Sequence, residues 1–256
     1  MALTCYAQTD PGLRRPVNED SYCARPELGL FVVADGLGGH PGGHVASRLV
    51  TRAIEDVIAG AIDPGEAARC DLSPSSEPET RLRNGFHVAY ARLSMAAAGS
   101  EFQGMATTVA AALVETHQNE HTGHPAIVAH VGDSRVYRLH DGQLERLTRD
   151  HSWVEEQVRA GLLERDAARN HPWRSLITRA VSASEEEVEP DIDRFLLSPG
   201  DRLLVCSDGL TGVLTDAQIS AVLTQSLGDE PTCQALVHMA NLAGGPDNIT
   251  VIVVSL

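Results

Sequence analysis

The sequence predicts an α+β domain with mostly antiparallel strands. Apolar runs of strand length occur in blocks, and segments with helical periodicity form separate blocks, unlike the strict strand–helix alternation of a parallel sheet. The turn signal Asp141-Gly142 lies between two neighbouring strand segments and favours a hairpin. With 256 residues, 43% of them apolar, the chain is long enough to bury a sizeable core.

The first part of the chain predicts strands at residues 3–9 and 29–34, followed by two helices. Apolar residues of segment 45–62 recur at intervals of three and four, which places them on one helical stripe. The second helix is predicted over 80–98. Between the helices, residues 63–79 are rich in Pro, Ser and acidic residues and are predicted to be a surface loop or a short linker.

A block of short strands separated by turn residues comes next, at residues 107–115, 126–132, 134–139 and 143–148. Residues 151–180 return to a helical composition, and residues 150–190 are predicted to protrude as a subdomain. No element is predicted for the acidic stretch 184–191. A strand at 201–209, two helices within 215–244 and a strand at 248–256 complete the chain.

The composition excludes several functional classes. A formal net charge of −15 argues against nonspecific binding of nucleic acid and against docking on an anionic membrane, since both need a basic face. The five cysteines are scattered without a C-x-x-C pair, which predicts free thiols in a reducing, cytoplasmic location. Neither a signal peptide nor an apolar run of about 18 residues is found.

Five aspartates stand at the ends of predicted strands, usually beside Gly or Ser: Asp20, Asp35, Asp133, Asp208 and Asp247. A single Asp at such a place is typical of a turn. Their recurrence on strongly apolar strands favours a shared carboxylate site. All-oxygen ligands suit hard cations, Mg²⁺ or Mn²⁺, with Ca²⁺ as an alternative. Aspartates from distant strands suit a two-metal hydrolytic centre.

The glycine-rich stretch FVVADGLGGHPGGHVAS at residues 31–47 does not match the nucleotide-binding motifs. Pro41 stands where G-x-G-x-x-G needs its last Gly, and His44 stands where a phosphate loop needs Lys. Within this stretch, His40 is a candidate for acid–base work or substrate contact, with a hydrogen bond that fixes the loop as the alternative. Arg15 is a candidate for binding phosphate, with a surface ion pair as the alternative.

Six motifs, in this order along the chain, resemble those of the metal-dependent type 2C protein Ser/Thr phosphatases in their bacterial single-domain form. They are R-x-x-N-E-D (15–20), V-A-D-G-x-G-G-H (33–40), M-A-T-T (105–108), V-G-D-S-R (131–135), C-S-D-G-L (206–210) and G-G-P-D-N-x-T-V (244–251). The resemblance implies a four-layer α-β-β-α sandwich, with two antiparallel sheets face to face and helices outside. It also implies one catalytic domain over 1–256 with a helical flap at about 150–190.

The resemblance assigns metal-binding roles to individual residues. Asp35 would bridge two ions, and the Gly36 carbonyl would bind one of them. Asp208 and Asp247 would complete the first site, and Asp20 would act near it, partly through water.

Further roles follow from the same resemblance. Asp133, with Asp208, would hold a weaker third ion, and Arg15 would grip the substrate phosphate. The chain departs from the family at Leu37, where eukaryotic members carry a histidine proposed as the general acid. His40 or a water could serve instead. Ala106 stands where the family usually has Gly.

The expected function is hydrolysis of phosphoserine and phosphothreonine in proteins, by in-line attack of a metal-bridging hydroxide. The expected cofactors are Mn²⁺ or Mg²⁺, and the expected setting is cytoplasmic signalling by a monomer that opposes a bacterial Ser/Thr kinase. One alternative is a catalytically silent regulator that binds partners on the same scaffold. Another is a metal hydrolase of small phosphate esters.

Overall fold

The computed structural model describes residues 3–37, 42–70, 72, 75–115, 123–183, 187–225 and 227–256. The strands in these residues are β1 (Thr4–Asp10), β2 (Asp20–Arg25), β3 (Leu30–Asp35), β4 (Ala106–Thr107), β5 (Val109–Val114), β6 (His124–Val131), β7 (Arg135–His140), β8 (Gln143–Arg146), β9 (Val181–Ser182), β10 (Asp191–Leu197), β11 (Arg202–Cys206) and β12 (Ile249–Ser255). The helices are α1 (Gly43–Ala59), α2 (Pro64–Arg69), α3 (Pro78–Ala97), α4 (Trp153–Arg159), α5 (Arg165–Arg169), α6 (Asp208–Thr211), α7 (Asp216–Leu223) and α8 (Asp229–Leu242). None of these helices is both long and apolar enough to cross a bilayer.

The strands form two antiparallel sheets that pack face to face. One sheet has the order β1-β12-β11-β7-β8, and the other has the order β10-β6-β5-β3-β2. The short strands β4 and β9 pair separately as a ribbon. Buried residues of both sheets, including Phe31 of β3, Val205 of β11 and Ile252 of β12, form one cluster between the sheets.

The central strands are buried on both faces, which explains their continuous apolar sequences. In β3, Phe31 and Val33 point to the other sheet, whereas Leu30, Val32 and Ala34 belong to a second cluster under the helices. Because successive side chains of a strand point to opposite faces, a strand covered on both sides shows no polar alternation.

Helices cover the outer face of each sheet. Ile54 of α1 and Leu93 of α3 are buried against the sheet that contains β3. Ile219 of α7 and Leu236 of α8 are buried against the sheet that contains β12. The four layers α-β-β-α that the family resemblance implies are therefore confirmed.

The loop prediction for residues 63–79 is wrong in part, because α2 lies within it. Asp63 caps this helix, and its Oδ1 accepts hydrogen bonds from the backbone N–H groups of Gly65 and Glu66. Pro64 occupies the first helical position, where its missing N–H costs nothing. The Pro- and acid-rich composition reflects helix initiation as well as loop.

The structure also corrects the segment between β8 and β11. The helical prediction over 151–180 holds only for α4 and α5, and the rest is irregular. Gly161 has φ +71°, a left-handed conformation that the α-helix does not continue. Strand β10 was missing from the sequence prediction. It is an edge strand with mostly exposed or half-buried residues, so its hydrophobic signal is weak.

Replacing Phe31 with Ala is expected to lower the free energy of unfolding by about 3–5 kcal/mol, since this fully buried ring fills the space between the sheets. Urea unfolding followed by circular dichroism measures the change. Met95→Ala is the control, because Met95 is 67% exposed and its loss should cost less than about 0.5 kcal/mol. Equal losses in the two variants would contradict the inter-sheet role of Phe31.

Candidate metal centre

The strand-end aspartates come together at one end of the sandwich. Four of them, Asp35, Asp133, Asp208 and Asp247, line a cleft of about 370 Å³. Asp35 ends β3 and Asp133 follows β6 in one sheet, while Asp208 follows β11 and Asp247 precedes β12 in the other. Both sheets therefore contribute two carboxylates each to the cleft.

The fifth aspartate, Asp20, is buried beside this cleft at the start of β2, in register with Asp35. Its Oδ2 accepts hydrogen bonds from Ser207 Oγ at 2.8 Å and from Thr250 Oγ1 at 2.6 Å. Its Oδ1 is buried and has no hydrogen-bond partner among the described residues. The two hydroxyl groups therefore fix the carboxylate and leave one oxygen for another ligand.

The backbone after Asp35 is held by the M-A-T-T segment. The Asp35 carbonyl accepts hydrogen bonds from the Thr108 N–H and from Thr107 Oγ1, both at 2.8 Å. The Leu37 N–H donates to the Ala106 carbonyl at 3.0 Å. This segment, which the sequence marked only as a motif, therefore fixes the conformation of residues 35–37.

Gly36 lies where a side chain has no space. A Cβ at this position would come within 2.4 Å of the Gly43 carbonyl oxygen and 2.7 Å of the Glu19 carbonyl oxygen. The close approach joins β3, the start of α1 and the loop before β2. The next residues of the glycine-rich stretch, 38–41, lie outside the described residues. His40, with its predicted role in acid–base work or substrate contact, is one of them.

Arg15 and Asp247 meet at the rim of the cleft, with 2.7 Å between Arg15 Nη2 and Asp247 Oδ2. The pKa of Arg15 is raised mainly by this hydrogen bond, so the guanidinium keeps its charge. The other oxygen of Asp247 accepts from the Asn248 N–H at 2.9 Å. Arg15 is 42% exposed, and incoming molecules can reach it.

Asn248 joins the last strand to the loop that carries Arg15. Its Oδ1 accepts from the Glu19 N–H at 2.8 Å, and its Nδ2 donates to the carbonyls of Pro11 and Val17 at 3.0 Å. The sequence analysis missed Asn248 as well as Ser207 and Thr250. The signal in the sequence was that these three residues lie close to the aspartates of the motifs. Proximity in the sequence does not predict which side chains form hydrogen bonds with each other.

Asp208 begins α6, and its Oδ1 is buried without a hydrogen-bond partner among the described residues. Asp133 is buried, and the hydroxyl of the next residue, Ser134, bonds Thr108 Oγ1 at 2.7 Å. Thr108 therefore links the turn of Asp133 to the turn of Asp35.

Burial and mutual repulsion disfavour the ionised form of these carboxyl groups. Burial raises the pKa of Asp35 well above its usual value, and the charges of Asp20, Asp208 and Asp133 add to the effect. Burial likewise raises the pKa of Asp133 well above its usual value, and that of Asp20 to about 7. The pKa of Asp208 is raised by burial and by Asp247. Such a cluster favours bound cations.

The donor set fits hard divalent cations. Two buried carboxylate oxygens, Asp20 Oδ1 and Asp208 Oδ1, lack hydrogen-bond donors within the described chain. Carboxylate and carbonyl oxygens are the ligands that Mg²⁺, Mn²⁺ and Ca²⁺ prefer.

A second cluster of potential metal ligands consists of His130, His151 and Asp191. Arg179 already supplies a positive charge there. Its Nη1 lies 2.9 Å from His151 Nε2 and 2.6 Å from Asp191 Oδ1. This cluster is therefore an internal ion-pair network near the base of α4, and it is separate from the aspartate site.

In the presence of a chelator, stability should fall as the pH rises from about 4 to about 8, because Asp20 is harder to ionise when folded. A pKa raised to about 7 favours the protonated folded state, so this contribution is complete below the unfolded pKa of 3.8 and is lost as the pH rises through 7. Asp20→Asn should remove on the order of 3 kcal/mol of the pH dependence of unfolding.

Urea unfolding at both ends of this pH range tests the expectation. Asp193→Asn, at an exposed position of β10, is the matched control and should keep the dependence of the unaltered chain. If the free energy of unfolding of Asp20→Asn changes with pH as it does in the unaltered chain, ionisation of Asp20 does not contribute to the pH dependence.

Comparison with known proteins agrees with this geometry. Residues 16–242 match the model of the protein phosphatase 2C family. A putative protein phosphatase 2C-type of Streptococcus pyogenes is 35% identical over 252 residues, which cover 96% of this chain and 95% of that protein.

Solved structures of serine/threonine phosphatases are also similar to this chain. The serine/threonine phosphatase Stp1 from Staphylococcus aureus has a TM-score of 0.84 at 30% identity and covers 100% of this chain and 96% of its own. The catalytic domain of the serine threonine protein phosphatase PstP, in complex with two manganese ions, has a TM-score of 0.82 at 32% identity, covering 99% and 97%. With the motifs, the α-β-β-α layers and the aspartate cleft in agreement, this chain belongs to the protein phosphatase 2C family.

Proposed function

We propose that this chain hydrolyses phosphoserine and phosphothreonine in proteins. The observation that carries the proposal is the cleft in which four aspartates and Arg15 converge. Carboxylates that gather cations and an arginine at the rim are the groups needed to bind and neutralise a phosphoryl group. Membership of the family and relatives named as serine/threonine phosphatases support the same activity.

The proposed cofactors are Mn²⁺ or Mg²⁺, as two ions with a weaker third. The residues assigned to them are Asp20, Asp35, the Gly36 carbonyl, Asp133, Asp208 and Asp247. When bound, such ions supply charge neutralisation and a water of lowered pKa. The complex of the PstP catalytic domain with two manganese ions supports two bound ions and manganese as a cofactor.

Arg15 is the proposed phosphate-binding residue. Its guanidinium is held near the cleft by Asp247, yet a large part of it is exposed to solvent. A planar guanidinium donates two parallel hydrogen bonds to a pair of phosphate oxygens. We therefore assign Arg15 to orienting the phosphoryl group and offsetting its charge, in exchange for part of its contact with Asp247.

His40 remains the proposed proton donor or substrate contact. Among the described residues that line the cleft there is no histidine, and Leu37 forms part of the wall. If His40 donates a proton, His40→Ala should change the pH profile of kcat.

The complete aspartate set favours an enzyme over the silent regulatory alternative, since a regulator would have no need for five converging carboxylates. The proposal places the enzyme in the cytoplasm as a monomeric catalytic domain over 1–256 that opposes a Ser/Thr kinase, with the flap at about 150–190. Free cysteines, none of them bonded, support a reducing compartment. Comparing a phosphopeptide with a nucleoside monophosphate distinguishes this activity from hydrolysis of small esters.

With Mn²⁺, the protein is expected to hydrolyse p-nitrophenyl phosphate and phosphothreonine peptides. A chelator, or Asp208→Asn, should lower kcat by at least about 100-fold, because charge stabilisation is usually the largest catalytic contribution. Circular dichroism establishes that the variant is folded. Full activity after either change would refute the proposed function.

Replacing Arg15 with Gln is expected to lower kcat/KM for phosphopeptides by roughly 10- to 100-fold, since a charge-assisted contact with the phosphate is lost. Arg14→Gln is the control, because Arg14 is the exposed neighbour of Arg15 and forms no ion pair with another described residue. Similar losses in both variants would mean that general positive charge, rather than the position of Arg15, matters.

A further inference from the structure

A second pocket adjoins the metal cleft. It has a volume of about 160 Å³ and lies between α4, α5 and α6. Asp133, Ser175 and Asp208 line both the pocket and the cleft. A peptide whose phosphoresidue occupies the cleft would therefore carry neighbouring side chains along a shared wall.

Five arginines line this pocket, namely Arg135, Arg146, Arg165, Arg169 and Arg174. The two inner ones are neutralised. Arg135 Nε and Nη2 bond the two oxygens of Asp150 at 2.9 and 2.6 Å, and Arg146 Nη2 lies 3.2 Å from Glu155 Oε2. Both side chains are only 18% exposed. They form a floor in which Asp150 and Glu155 are already paired. Asp216, which also lines the pocket, lies 4.0 Å from Arg135 Nη1 and accepts a hydrogen bond from the Tyr137 hydroxyl at 3.0 Å.

The outer arginines lack such partners. Within the described parts of the chain, Arg169 and Arg174 have no carboxylate within ion-pair distance, and Arg169 donates only to the Leu214 carbonyl at 3.3 Å. Arg165 makes one long contact of 3.5 Å with Glu155 and is 66% exposed. Their positive charges are therefore available to an external anion.

Arginines are concentrated in the segment that lines this pocket. The chain has a net charge of −15 and 35 acidic residues, yet seven of its 20 basic residues fall within residues 146–179. All 20 basic residues are arginine, the side chain that binds carboxylate and phosphate through a planar fork. Although carboxylates outnumber arginines in this chain, Arg169 and Arg174 lie beside the aspartate cleft without an ion pair to another described residue.

The remaining walls of the pocket are suited to a side chain. Val154, Val158 and Ala168 give an apolar surface next to the guanidinium groups. A Glu or a phosphorylated Ser or Thr offers this combination of short apolar stem and anionic end. A basic residue would meet like charge.

We propose that this pocket is a specificity subsite that binds a second anionic group of the phosphoprotein substrate, a carboxylate or a second phosphate near the phosphoresidue being hydrolysed. The proposal rests on the proposed phosphatase function and specifies its substrates as acidic or multiply phosphorylated segments. Arg169 and Arg174 bind the anion, while Arg135 and Arg146 support the floor of the pocket.

Phosphothreonine peptides test the subsite. Each peptide carries one substitution of Ala by Glu, by phosphoserine or by Lys, at one of the three positions on either side of the phosphothreonine. At one or more positions, Glu or phosphoserine should lower KM by about fivefold, with kcat unchanged, as expected for a partly exposed ion pair. Raising the salt concentration should reduce this preference, because surface charge pairs are screened.

The double variant Arg169→Gln/Arg174→Gln should lose the preference and keep its kcat/KM for p-nitrophenyl phosphate and for the all-Ala peptide. Arg48→Gln, an exposed arginine on α1, is the matched control and should keep the preference. A response to phosphoserine alone supports a phosphate ligand, and a response to both anions supports the shared chemistry.

Two results would overturn the subsite. One is equal KM values for Ala, Glu, phosphoserine and Lys peptides, and the other is a preference that persists in the double variant. Either result is distinguishable from failure of the proposed function, which would appear as no hydrolysis of any peptide or of p-nitrophenyl phosphate.

Discussion

The repulsion between carboxylates gathered at the seam of two sheets is the constraint on which the rest of the structure depends. Isolated acids would turn outwards to water, but Asp20 is held in place by the hydroxyls of Ser207 and Thr250. The raised pKa values of Asp35 and Asp133 express the resulting cost. A protein that keeps such a cluster in one orientation is prepared to bind cations without rearranging.

The sandwich provides the rigidity that this arrangement needs. β3, β11 and β12 are buried on both faces, so the strand ends that carry Asp35, Asp208 and Asp247 have little freedom to move apart. The segment between β8 and β10 has a largely irregular backbone, and its Ser175 and Ile177 line the cleft. His151 in the same segment accepts a hydrogen bond from the Gly132 N–H and donates its backbone N–H to the Gly132 carbonyl, which holds the turn before Asp133.

Much of this architecture could be predicted because the strongest sequence signals coincide with the strongest physical constraints. The doubly buried strand β3 gives an uninterrupted apolar run, and a polar residue directly after such a run marks the edge of a sheet. β10 gave no comparable signal, since an exposed edge strand needs no apolar pattern. The helix α2 was hidden by a Pro-rich composition that also suits loops. The side-chain partners of Asp20 depend on contacts between residues distant in the chain, and one sequence does not specify these.

Asn248 ties the loop at Pro11 and Val17 to the strand that pairs with β1, so the first and last strands close the site together. During synthesis, Asp247 and Asn248 emerge after every other residue of the cleft. The nascent chain therefore lacks one of the carboxylates that line the cleft until this part of the chain has been synthesised. Asp247 precedes β12, which pairs with both β1 and β11, so assembly of the cleft depends on pairing between strands from both ends of the described chain.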